Sequence, residues 1–242
     1  MIPTCVDLEH FDPGKVPVGE TRQIRLQLGL VEGDFLLLYL GSLGTWYMLE
    51  EMLDFFDVLR GPYPAAKFLF LTRDAHVLRA HLVRRPELAD NQREAPLTIT
   101  VNDQPHEVLS LAGGAILVTS ARREQVPAFL SICQASVFFI QPSFSKKASA
   151  ATKMAEVLAM GKPVITNTGW GDADRFCRLH RAGALAEGFG PATYQGVLRQ
   201  LPALLEADPA YYRQLATEHF SLEKGVQEYD RIFKILAGAQ SA

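Results

Sequence analysis

Residues 145–172 read SKKASAATKMAEVLAMGKPVITNTGWGD, and their reading decides the fold. The segment opens as a loop of small residues with three lysines, Lys146, Lys147 and Lys153. An apolar helix follows over about 153–160, with a single glutamate, Glu156, inside it. Gly161 stops the helix, and KPVIT supplies a short apolar strand. Loop, helix and strand in that order form half of a β-α-β unit, so the flanking sequence should hold more of the same.

It does. FLLLYLGSLG (35–44) is an apolar run ending at two glycines, the pattern of a parallel strand buried on both faces and followed by a tight turn. The next helix carries Leu49, Met52, Leu53, Phe56 and Leu59 at helical spacing and stops at Gly61 and Pro62. AKFLFLT (66–72), GAILVTSA (114–121) and ASVFFIQPS (135–143) read as further strands. Between them lie a helical segment around 76–83, an alternating edge-like run LTITV (97–101), and the helix REQVPAFLSICQ. Pro127 falls in the first turn of that helix, where it is tolerated. Two amphipathic helices, 190–207 and 222–238, close the chain. The expected fold is α/β: a single Rossmann-like, three-layer α/β/α domain over 1–242, with a mostly parallel sheet. Residues 1–20 form its opening segment and 222–238 its closing helix.

Composition narrows the classes. The chain has 242 residues, is 48% hydrophobic and carries a net charge of −3, which excludes a polybasic nucleic-acid binder by bulk charge. Three widely spaced cysteines give neither a zinc ribbon nor a disulfide framework. No apolar run reaches the roughly 18–20 residues of a membrane span. The six histidines show no metal-ligand spacing, no G-x-S-x-G elbow is present, and no G-x-x-x-x-G-K-[ST] loop exists.

Sheets of this kind bind ligands beyond the carboxyl ends of their strands, here loops 41–47, 72–76, 119–124 and 142–152. The helix around Glu156 begins on the last of these. A helix N-terminus offers free N–H groups and partial positive charge to an anion. Ser149, Ala150, Ala151 and Thr152 are small enough to admit a phosphate to the backbone. Glu156, a turn further in, could accept hydrogen bonds from the vicinal hydroxyls of a ribose. The plainer alternative stays open: such a glutamate complements the helix dipole, and neighbouring lysines form a solvated face. A structural turn accounts equally well for GSLG, for Trp170 and for Asp172, and Cys133 reads as a packed thiol.

Taken together, the segments resemble the C-terminal, donor-binding half of the GT-B retaining glycosyltransferases, in the large group that includes bacterial polysaccharide transferases. IPTCVDLEHFDP (2–13) resembles that half's opening. LLYLGSLGTWYMLEEML, VPAFLSICQASVFFIQPS, KMAEVLAMGKPVITN and HFSLEKGVQEYDRIFKIL resemble its later pieces, in order. The resemblance implies an enzyme of hexosyltransferase type that moves a sugar from a UDP- or GDP-linked donor to an acceptor hydroxyl with retention. Glu156 would be the second acid of the E-x7-E motif and hold the ribose. The backbone around 151–153 would meet the diphosphate. Gly41, Ser42 and Gly44 would face phosphates and sugar, and Ser120, Ala121 and Arg122 would lie beside the nucleobase. No cofactor or metal is implied beyond the donor.

Two departures stand out. The first acid of E-x7-E is replaced by Ala148, and the basic pair after the first strand is replaced by Ser42 and by Thr45, Trp46 and Tyr47. Lys146, Lys147, Lys153 and Arg73 are the cations available in exchange. The family's acceptor-binding half is not in these residues, so a fragment or separately encoded half is expected, inactive alone and with an exposed face open to self-association. No catalytic residue is assigned within 1–242. The implied location is cytoplasmic, at the membrane face if the acceptor is lipid-linked. A non-catalytic sugar-nucleotide-binding module and an epimerase fragment are the rival readings.

Overall fold

Leu36, Leu37, Leu38 and Tyr39 are all fully buried, so successive side chains on both faces of the first strand are covered. This strand, β1 (Leu36–Leu40), lies inside an eight-stranded sheet with β2 (Lys67–Leu71), β3 (Ala95–Val101), β4 (Gln104–Leu111), β5 (Ile116–Thr119), β6 (Ala135–Phe138), β7 (Val164–Asn167) and β8 (Gly183–Ala186). The computed structural model describes residues 4–44, 46–85, 95–149 and 152–239. Among these the strand order is β3-β4-β5-β2-β1-β6-β7-β8. The pairs β1–β2, β2–β5, β1–β6, β6–β7 and β7–β8 are parallel, while β3–β4 and β4–β5 are antiparallel.

The helices are α1 (Val18–Gln27), α2 (Leu49–Leu59), α3 (Ala75–Leu82), α4 (Val126–Ile132), α5 (Thr152–Ala159), α6 (Ala173–His180), α7 (Pro191–Leu198), α8 (Leu201–Glu206), α9 (Pro209–His219) and α10 (Leu222–Ala239). Helix α1 packs on α4, α2 on α7 and α5 on α9, which gives the sheet its helical flanks. The expected Rossmann-like, mostly parallel α/β fold is therefore what forms. The run LTITV does lie on the sheet edge, as β3.

Several elements depart from the sequence expectation. Strand β4 pairs with β3 through a two-residue turn in which Asn102 and Asp103 have φ of 50° and 57°, the left-handed pair that suits a hairpin. Strand β8 and helices α1, α6 and α9 were not expected. The expected helix over 190–207 is instead two, α7 and α8, with Pro202 near the start of the second.

The termini of the domain meet: Val6 donates to Phe220 O at 2.7 Å, and Leu222 donates back to Val6 O at 3.0 Å. Beyond that tie α10 turns a run of apolar side chains to solvent. Leu222, Val226, Tyr229, Phe233, Ile235 and Leu236 on it are all exposed. No helix among the described residues is long and apolar enough to cross a membrane.

Candidate functional site

Helix α5 is built from apolar residues that face inward: Met154, Ala155, Val157, Leu158 and Ala159 are buried. Glu156 is buried with them at 9% exposure. Burial pushes its carboxyl up from the ordinary range, while Arg123, Lys153 and His10 pull it back. Among the described residues its ion-pair partner is the Arg123 guanidinium, at 3.7 Å. Among the described residues no hydrogen bond reaches the carboxylate. A buried carboxylate without donors is costly, and the cost falls when a ligand supplies them.

Arg123 stands at the start of a short 3-10 turn, Arg123–Gln125, beyond β5. Its guanidinium lies 5.4 Å from the centre of the Phe11 ring, and its carbonyl is 3.0 Å from His10 Nε2. The opening segment thus contributes His10 and Phe11 to the surroundings of Glu156. Nothing in the spacing of the histidines signals this, because the contact spans more than a hundred residues.

The glycine turn after β1 is fixed from two sides. Gly41 and Gly44 have φ of 127° and 93°, conformations that favour glycine. Leu43 N donates to Asp74 Oδ2 at 2.8 Å, and the Tyr39 hydroxyl donates to Ser42 O. Tyr47 bridges to Gly44 and to Ile140, which ties the turn to the segment after β6. Thr45, Ala150 and Ala151 lie outside the described residues.

Lys153 rises from the first turn of α5 into this turn. Its ammonium lies 3.3 Å from the centre of the Tyr47 ring, 4.6 Å from that of Tyr39, and 3.3 Å from the Tyr39 hydroxyl oxygen. A Cβ on Gly41 would collide with it. Burial lowers the Lys153 pKa to about 7, against the pull of Glu156. Lys146 sits over the neighbouring ring, 4.4 Å from the centre of Trp46. Trp46, Tyr47, Lys146, Ser149, Thr152 and Lys153 line one cavity of about 280 Å³. Lys147, by contrast, is exposed on the turn Ser145–Ala148 and does not line this cavity.

Two further hollows adjoin. One, of about 380 Å³, is lined by Gly41, Ser42, Arg73, Asp74, Ser120 and Ala121, so three strand-end loops converge on it. The next, of about 340 Å³, shares Arg73, Ser120 and Ala121 and adds His106, Arg122 and Gln125. His106 comes from β4; its Nε2 is 2.8 Å from Thr119 Oγ1, and burial lowers its pKa. The hairpin that carries it went unrecognised in the sequence, and His106 with it. A larger hollow of about 950 Å³ lies between β8 and helices α6 to α9 and contains none of the residues singled out above.

Trp170 is buried against Phe138, with ring centres 5.9 Å apart, and is a core residue. Its neighbour has a positioning role: Gly171 N donates to Lys146 O at 2.8 Å, which braces the lysine-bearing turn. Cys133 is buried, its thiol donating to Leu130 O at 3.2 Å.

No protein-family model matches this chain, and no curated protein matches it. Solved structures do. The chain is similar to a glycosyltransferase from Rickettsia africae ESF-5, with a TM-score of 0.69 at 14% identity over 98% of this chain and 56% of that one. It is similar to HepE from Anabaena, determined in complex with UDP-glucose, with a TM-score of 0.66 at 14% identity over 95% and 56%. It is also similar to WaaG, a glycosyltransferase involved in lipopolysaccharide biosynthesis, with a TM-score of 0.61 at 14% identity over 89% and 51%. The chain thus spans about half the length of these structures, and its fold is that of one Rossmann-like half of the GT-B glycosyltransferases.

Proposed function

We propose that residues 1–242 form the donor-binding domain of a glycosyltransferase that moves a sugar from a UDP- or GDP-linked donor to an acceptor hydroxyl with retention. The observation that carries this reading is Glu156: a buried carboxylate on α5, at the carboxyl edge of the sheet, with no hydrogen-bond donor among the described residues. A ribose offers two adjacent hydroxyls that would satisfy it. The hollows lined by Arg73, Ser120 and Arg122 would take the nucleobase. Gly41, Ser42 and Gly44 would face the phosphates and sugar. A UDP-glucose complex of HepE, which shares the fold, supports a nucleotide-sugar as the ligand class.

In the reaction the bond between the anomeric carbon and the diphosphate oxygen breaks. The acceptor oxygen bonds to that carbon on the same face, and the acceptor's proton leaves with the nucleoside diphosphate. This domain contributes donor orientation and charge stabilisation of the departing diphosphate. The acceptor would be bound by a second lobe, and transfer requires that lobe. The apolar stripe of α10 is the surface this reading assigns to it. Three acids, Glu223, Glu228 and Asp230, balance Lys224, Arg231 and Lys234 on the same helix, so the stripe lacks the cationic excess that an anionic membrane selects.

Calorimetric titration with UDP, GDP, ADP and dTDP tests the reading. Saturable binding of one of them supports it and identifies the base; absence of binding by all four removes it. Ala148, where a carboxylate would hold a sugar hydroxyl, favours a second reading, a binding module without turnover. Sugar transfer after restoration of an acceptor lobe excludes that module.

A further inference from the structure

Trp46 and Tyr47 are consecutive aromatic residues on the loop after β1; Trp46 carries a lysine from the turn after β6, and Tyr47 one from the first turn of α5. Lys146 Nζ lies 4.4 Å from the Trp46 ring centre, and Lys153 Nζ lies 3.3 Å from that of Tyr47. Neither ammonium has a carboxylate within ion-pair distance among the described residues. A ring face attracts an ammonium but accepts at most one of its three N–H donors. Lys153 also meets the Tyr39 ring, 4.6 Å from its centre, and the Tyr39 hydroxyl at 3.3 Å, neither of them charged. Both lysines thus lack a carboxylate counter-charge among the described residues, and both line the same cavity of about 280 Å³ with Ser149 and Thr152.

The arrangement is held in place on both sides. Tyr47 is pinned by its bridges to Gly44 and Ile140, and Trp46 O accepts from Gln141 N at 2.8 Å. On the other side Lys146 O accepts from Gly171 N, and a Cβ on Gly171 would collide with Ser149 O. Gly41 leaves open the space into which the Lys153 ammonium rises. Both side chains line that cavity, so an anion entering it meets two cations. Such an anion needs several oxygens and more than one charge to satisfy both.

From this geometry we infer that Lys146 and Lys153, presented by Trp46 and Tyr47, form a cation pair that holds the diphosphate of the donor. The inference rests on the nucleotide reading above and ranks the four cations left open by the sequence. Lys147 is exposed outside the cavity, and Arg73 lines the neighbouring hollows. The basic side chains missing from the β1 loop are supplied from the β6–α5 loop, and the aromatic residues that stand in their place act as positioning residues for the lysines.

The test uses inorganic pyrophosphate and UDP as probes, titrated by calorimetry into the whole chain and into Lys153→Met and Lys146→Met, with Lys153→Arg as the variant that keeps the charge. Methionine keeps an unbranched stem for packing, and circular dichroism confirms the fold of each variant. The expected result is that pyrophosphate binds the unaltered chain and that each methionine variant weakens it at least about tenfold, the scale of a lost charge-assisted contact. Lys153→Arg should recover part of that loss. Unchanged pyrophosphate affinity in both folded methionine variants overturns the inference. Binding of UDP without binding of pyrophosphate places the phosphates elsewhere; it overturns the inference and leaves the nucleotide reading standing. Failure of both probes, together with GDP, ADP and dTDP, overturns both.

Discussion

Arg123 and Glu156 face each other at 3.7 Å without a hydrogen bond, an ion pair left loose between an exposed guanidinium and a buried carboxylate. A ligand hydroxyl fits between such partners. Glu156→Gln keeps the shape and removes the charge. Nucleotide binding should weaken by about 1–3 kcal/mol, the range for a hydrogen bond to a charged group. The folded state should not suffer, because burial already disfavours the charged carboxyl. Calorimetry and a denaturant titration read the two effects. Unchanged nucleotide affinity in the folded variant removes Glu156 from the ribose role.

Gly41→Ala tests the space above β1. At φ 127° an alanine is strained, and its Cβ would also displace the Lys153 ammonium. Gly44→Ala is the comparison: its φ is 93°, and nothing lies within 4 Å of the added Cβ. Both variants should lose about 1–2 kcal/mol of stability from backbone strain. Gly41→Ala should lose more diphosphate affinity than Gly44→Ala. Equal losses would mean that the position of Lys153 does not matter to binding.

Much of this arrangement is legible in the sequence where burial writes a simple pattern. FLLLYLGSLG announces a strand covered on both faces because every side chain of 36–39 must be apolar there. Glu156 stands out as the one carboxylate inside an apolar helix. Strand β8 does not announce itself: GALA has neither β-branched nor aromatic residues. Gly183 is there because a Cβ would collide with Val164 O, a demand visible only once the strands are paired. Strand β4 hides behind Pro105 and its polar start; the Asn102–Asp103 pair was the signal that could have revealed it. The lysine–aromatic pairs are also illegible. Tyr39 and Lys153 are 114 positions apart, and only the sheet order brings β1 beside β6 and the helix that follows it.

Arg85 gathers the acids of α2. It donates to Glu50 Oε2 at 2.7 Å, Asp54 Oδ1 at 2.6 Å and Asp57 Oδ2 at 3.2 Å. Burial opposes the Arg85 charge, yet these bonds outweigh it and raise its pKa. Arg85→Met should cost about 1–3 kcal/mol, since three like charges then share one helix face and two of them remain well solvated. For Glu50, burial acts against the charged form, but bonds from His81 and Arg85 prevail and lower its pKa. Its contribution is therefore present above its ordinary pKa and lost as pH falls through the lowered one. The cost of Arg85→Met, read by denaturant titration, should hold from pH 7 down to about 4.5 and shrink below that. A cost independent of pH would mean that the arginine acts by packing alone.

Lys153 should give opposite pH signs for stability and for binding. Its folded pKa is lowered by burial to about 7, from an ordinary value near 10.5. Between those values the unfolded chain binds more protons than the folded one, so the lysine's cost to stability diminishes as pH rises from about 7 toward 10. Diphosphate binding requires the ammonium, so affinity should fall as pH rises over the same window. One linked proton limits that fall to about tenfold per pH unit. The comparison belongs at pH 7.5–9 with UDP as the probe, because its terminal phosphate has its last ionisation near pH 6. Tyr39, Tyr47 and Glu156 are the titratable groups around the amine. The two tyrosines are raised by burial above their ordinary values, so both stay neutral across this range. Glu156 is one turn away on α5; burial raises its carboxyl pKa, and Arg123, Lys153 and His10 oppose that rise. Lys153→Met should flatten both profiles, giving a chain more stable than its parent at pH 7 and weaker in binding at every pH. A variant that loses stability at pH 7 would mean that the ammonium is held by its aromatic cage as a structural contact, with no charge kept in reserve for a ligand.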